Sequence, residues 1–111
     1  HLMTHTAGFE QRVFGFYARE PGDLVPLQDF LAANLPARVY PPGEVSAYSN
    51  YGAALAGHIV SQASGLSFES YIEDRILDPL GMTRSTFRQP LPPSLAPDLA
   101  TGYTGKRNLA G

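Results

Sequence analysis

The chain has 111 residues and a formal charge of −2, with eight basic and ten acidic side chains. That charge supplies no basic field to hold a phosphate backbone, which excludes nucleic acid as a default partner. With no cysteine, disulfide frameworks and thiolate metal sites are excluded as well.

Six Tyr and six Phe argue for a packed core, and eleven Gly with ten Pro require many turns. A chain of this size buries ~65% of its unfolded surface, so it folds with a modest margin. Residues 1–5 predict a short helical turn that stops at Gly8. Residues 9–22, with Gln11, Gly15, Phe16, Tyr17 and Pro21-Gly22, show no clean periodicity and read as an ordered loop. Asp23 predicts a cap for a helix over residues 24–35, in which Leu24, Leu27, Phe30, Leu31 and Leu35 share a face. Pro26 suits its first turn and Pro36 ends it.

Pro41-Pro42-Gly43 forms a rigid turn, and a second helix is expected from Ser49 or Asn50 to Ser64, closed by Gly65. Leu55, Ile59 and Ala63 form its bulky stripe, and Gly52, Ala53, Ala56 and Gly57 a face of small residues. A helical Gly costs about 1 kcal/mol against Ala, so Gly57 predicts another backbone close by. Ser67 caps a third helix over residues 68–77, with Glu69 in the first turn and Phe68, Ile72 and Ile76 along one face. Pro79 and Gly81 close it. Beyond it, Pro90, Pro92, Pro93 and Pro97 preclude regular structure, so residues 88–111 are expected to form an irregular tail. Residues 45–68 carry no Asp, Glu, Lys or Arg, yet Ser46, Ser49, Asn50, His58, Ser61 and Gln62 are too polar for a membrane span.

The chemistry narrows by elimination. His1 and His5 have the spacing of two imidazoles on one helical face, but they lack an intervening Glu and a third ligand, so local capping or packing is the better account. A lone helical His58 suits a hydrogen-bonded core or boundary position. Gly102-Tyr103-Thr104-Gly105-Lys106-Arg107 resembles the tail of a phosphate-binding loop. However, Ala100 stands where the first Gly belongs and Arg107 where Ser or Thr is needed, so it reads as a turn. No G-x-S-x-G elbow occurs. A Ser-x-x-Lys pair is impossible, because the one lysine, Lys106, has Tyr103 three positions before it. Glu73 and Asp74, adjacent on a helix, point in different directions and form a solvated face.

Tyr48-Ser49-Asn50 remains, just after a Pro-Gly turn and at a helix entrance. The positive end of a helix favours a phenolate and orients an amide. If the stretch before the helix is extended, a phenol and a carboxamide spaced by one residue converge on a small volume. Taken alone, the pattern fits a packing Tyr and a capping Asn equally well.

The surrounding blocks give it context. His1-Leu2-Met3-Thr4-His5-Thr6-Ala7-Gly8-Phe9 is similar to "HLLTHTSGL", and Pro42-Gly43 with Tyr48-Ser49-Asn50-Tyr51-Gly52 to "PG…YSNxGY". Ile76-Leu77-Asp78-Pro79-Leu80-Gly81-Met82-Thr83 with Thr86 is similar to "I-x-x-P-L-G-M-x-x-T". In this order and spacing the chain resembles the serine β-lactamase and penicillin-binding-protein-like superfamily, in particular its class C β-lactamase, D-alanyl-D-alanine carboxypeptidase and esterase branch.

The resemblance implies a mainly α chain: the helical subdomain of an α/β fold, with three main helices and Pro/Gly-rich loops, residues 1–111 forming one partial domain. It implies that a Ser-x-x-Lys serine elsewhere attacks an amide or ester, giving an acyl-serine intermediate. Tyr48 would exchange a proton with that serine, and Asn50 would steady the lysine and contact the substrate. A tyrosine, with an intrinsic pKa of about 10, acts as a base only where cations lower it. The substrate would be a small molecule or peptide (a β-lactam, a D-Ala-D-Ala peptide or an ester), and no cofactor is implied. The nucleophile motif and the third family motif are absent, and His5-Thr6-Ala7 is not the family's His-x-Gly. The chain, which opens on His1-Leu2-Met3, is therefore expected to be an inactive excerpt of an extracytoplasmic parent that self-associates through leftover apolar surface. A non-catalytic binding module on the same scaffold and an independent small helical binding domain are the alternatives.

Overall fold

The computed structural model describes residues 1–12, 18 and 20–100. It is helical, with three α-helices: α1 (Leu27–Ala33), α2 (Asn50–Ser64) and α3 (Phe68–Ile72), the last continuing as a π-helical turn over Glu73–Leu77. Among the described residues the one β feature is an isolated antiparallel bridge between Phe9 and Arg38. The glycine-rich segment near Lys106 lies outside the described residues, as does most of the stretch 13–19.

The amino-terminal stretch runs antiparallel beside residues 37–47. Its carbonyls at His5, Thr6 and Gly8 accept from the N–H groups of Ala47, Gly43 and Val39, each at 2.8 Å, and Glu10 N–H returns a bond to Ala37 at 2.8 Å. Gly8 makes this approach possible. It holds φ +78°, and a Cβ there would lie 2.0 Å from the Tyr40 carbonyl oxygen. The turn over residues 1–5 is not helical throughout, because His5 adopts φ +55°. The imidazoles of His1 and His5 therefore do not share a helical face. His1 Nδ1 pairs with Thr6 Oγ1 at 3.0 Å, whereas His5 faces residues 47–49.

α1 is shorter than the expected 24–35 helix. Asp23 does not cap it. Its carboxylate accepts from the Glu20 N–H within a 3₁₀ turn over Pro21–Asp23, and the helix starts after Pro26. Leu24 falls before the break at Pro26 and is 45% exposed, and Leu35 falls beyond the Asn34 cap and is 63% exposed. Leu31 faces inward, and its carbonyl accepts from the buried Tyr51 hydroxyl at 3.0 Å, tying α1 to α2. Phe9 meets the Tyr51 ring edge-on at 5.4 Å, so all three segments meet at that tyrosine.

α2 has the expected bounds. Ser49 Oγ accepts from Gly52 N–H at 3.0 Å, and Gly65 closes the helix in a left-handed conformation. Gly57 accommodates the Phe68 ring, 3.2 Å from where its Cβ would stand, and not the backbone that its helix cost suggested. Phe68 in turn stacks edge-on against Phe87 at 5.2 Å.

Ser67 caps α3 as expected. The register then slips. Asp78 N–H bonds to the Glu73 carbonyl at 2.9 Å, five residues back, and Met82 N–H to Leu77 at 2.8 Å. An inserted residue rotates the face, so Leu77 is buried while Ile76 stays 42% exposed. The described part of the proline-rich stretch is largely irregular. It contains a 3₁₀ turn over Ala96–Asp98, with Arg84 paired to Asp98 at 2.6 Å. Arg88 forks onto Glu73, its Nε 2.9 and 3.0 Å from the two carboxylate oxygens, and Thr86 adds a bond at 3.1 Å. The Arg88 hydrogen bonds hold the Glu73 carboxyl below the usual carboxylate range, and the same contact raises the guanidinium.

Candidate active site

Tyr48, Ser49 and Asn50 sit where the extended chain turns into α2. Ser49 has φ −140° and ψ 113°, the geometry in which alternate side chains share a side. Tyr48 and Asn50 therefore project together, and the Tyr48 hydroxyl donates to Asn50 Oδ1 at 2.9 Å. Between them Ser49 points inward, 4% exposed, and spends its hydroxyl on the helix cap. Tyr48 itself is 61% exposed, so its phenol stands open to an incoming group.

Two residues the sequence reading did not place at this site complete it. Gln11 Oε1 accepts from Asn50 N–H at 3.2 Å, and His5 Nδ1 accepts from Ser49 N–H at 3.3 Å. The His5 ring lies 4.6 Å from the Tyr48 ring, tilted by 41°. Three of the donors at the mouth of α2 are thus already spent, on His5, Gln11 and Ser49. The helix entrance orients a phenol and a carboxamide and is not an open anion cradle. The sequence signal for His5 was its place in the "HLMTHT" block, which travels with the "YSN" block. Gln11 left no such signal.

The remaining candidates are not drawn in. His58 lies half-buried within α2, away from the entrance. Glu73 is occupied by Arg88. Among the described residues no three His, Cys, Asp or Glu side chains gather in a way that could hold a metal ion. No described helix is long and apolar enough to cross a membrane.

The chain belongs to the Beta-lactamase family, whose model matches residues 1–110. It is 37% identical over 92 residues to Monacolin J acid methylbutanoyltransferase of Aspergillus terreus, covering 79% of this chain and 22% of that protein. It is 29% identical over 108 residues to Penicillin-binding protein 4* of Bacillus subtilis, covering 93% and 24%. It is 33% identical over 99 residues to Acyltransferase mokF of Monascus pilosus, covering 86% and 24%. The chain spans about a quarter or less of the length of these relatives. No solved structure matches it significantly.

Proposed function

We propose that this chain is the part of a serine acyl-transfer enzyme that carries its acid–base tyrosine. A serine from the rest of the protein attacks an amide or ester carbonyl, Tyr48 takes and returns the proton, and Asn50 orients the neighbouring amine and the substrate. The observation that carries this reading is the exposed Tyr48 hydroxyl, aimed by its bond to Asn50 at 2.9 Å. The chain's one lysine has no hydroxyl of a Ser three residues before it, so the chain alone lacks the nucleophile's partner and is inactive.

Two measurements test this. The 111-residue chain is expected neither to hydrolyse a chromogenic cephalosporin nor to take a covalent label from a fluorescent penicillin, and labelling would overturn the assignment. In the full-length protein, Tyr48→Phe is expected to slow acylation by roughly 10²–10⁴-fold with the helical circular dichroism intact. An unchanged rate would point instead to a binding module on the same scaffold.

Similarity to two proteins named as acyltransferases favours a second reading of the deacylation step. The acyl group passes to an alcohol in place of water. Partition of the acyl-enzyme between water and an added alcohol, read from the product ratio, separates the two.

A further inference from the structure

We infer that His5 is a positioning residue that fixes the Tyr48 phenol and the Asn50 carboxamide relative to one another, an inference that rests on the proposed roles of those two residues. His5 engages three successive positions of the segment it faces. Its carbonyl accepts from Ala47 N–H at 2.8 Å, its ring packs on Tyr48 at 4.6 Å, and its Nδ1 accepts from Ser49 N–H at 3.3 Å. The last bond holds the peptide that joins Tyr48 to Ser49, so one imidazole restrains both the ring and the backbone on which it pivots. Tyr48 is 61% exposed. A phenol with so little protein around it wanders unless a neighbour braces it, and a small misplacement of a reacting group is costly in rate.

The residue type follows from the geometry. At φ +55° a β-branched side chain is strained, whereas His and Asn are tolerated. A ring nitrogen that accepts a hydrogen bond carries no proton, so the neutral imidazole holds its proton on Nε2. Phe at this position keeps a ring against Tyr48 but offers Ser49 no acceptor. Asn offers an acceptor oxygen at the equivalent branch of the side chain but gives up the ring.

The test has a spectroscopic arm on the 111-residue chain and a kinetic arm on the full-length protein. In the long-range ¹H–¹⁵N spectrum of the neutral imidazole, His5 is expected to show a bare Nδ1 and a protonated Nε2. The Ser49 amide signal is expected to shift in His5→Phe, which offers it no acceptor, and to hold in His5→Asn, which does. A protonated Nδ1 would overturn the inference without any variant having to fold. With p-nitrophenyl butyrate as the probe, His5→Phe is expected to lower kcat about tenfold or more at nearly constant KM, and His5→Asn to recover most of the loss. A His5→Phe enzyme with wild-type kcat beside an impaired Tyr48→Phe enzyme overturns the role of His5 alone, as does a His5→Asn enzyme as slow as His5→Phe. A Tyr48→Phe enzyme with full activity overturns the acid–base reading on which the inference stands.

Discussion

Ser49 stands between the exposed Tyr48 and the half-buried Asn50 and faces the other way, with its hydroxyl on Gly52 N–H and its own N–H on His5. Replacing it with Ala removes the cap and leaves a buried N–H of Gly52 without its partner. Ser49→Ala is therefore expected to lower the unfolding free energy by about 1–2 kcal/mol, read from the urea midpoint at constant slope. The convergence of Tyr48 and Asn50 was legible in the sequence, because an extended residue between two others places them on one side whatever the fold around them. The contribution of His5 was not. A left-handed φ at a non-glycine residue leaves no mark in composition or periodicity, and the "HTA" stretch matched a helical turn equally well.

At the scale of elements, α2 was legible from end to end because Ser49 and Gly65 punctuate it. α1 was read too long and the register of the third helix was misjudged, for two different reasons. Pro26 tolerates a first helical turn but does not require one, and here it marks the break between a 3₁₀ turn and the helix. Along residues 68–77 a period of 3.6 placed Ile76 inward, but a five-residue hydrogen bond at Glu73 shifts the face by one position. The consequence is measurable. Leu77→Ala is expected to cost about 2–4 kcal/mol in chemical denaturation and Ile76→Ala less than about 1 kcal/mol, the reverse of what an unbroken α-helix would give. The contact between Gly57 and Phe68 was legible only in part, since a helical glycine announces a close neighbour without saying whether it is a chain or a ring.

Across the whole molecule, the apolar surface is incompletely covered. Among the described residues the buried hydrophobic set is Ala7, Leu31, Tyr51 and Leu77, while Met3, Leu35, Leu80 and Leu99 are 63–83% exposed. Exposed apolar side chains favour association where they adjoin one another. Light scattering on the 111-residue chain at high concentration is expected to show species larger than a monomer, and a clean monomer would count against it. The strap that fastens residues 86–88 to the π-helical turn depends on pH. Because Arg88 holds the Glu73 carboxyl below its ordinary range, its contribution is complete above the unfolded carboxylate's pKa of roughly 4.3 and is lost as pH falls through the lowered value. Glu73→Gln is expected to reduce the drop in melting temperature between about pH 6 and about pH 3, measured by calorimetry.

Gly8 carries no chemistry, yet it governs how tightly the two antiparallel stretches can close. Any side chain there would meet the Tyr40 carbonyl and wedge the seam open. His5 lies on one bank of that seam and Tyr48 beside the other, so a methyl group added at Gly8 would reach the Tyr48 phenol as a change of spacing. Such a variant leaves every polar group at the entrance of α2 in place and still alters how they are spaced.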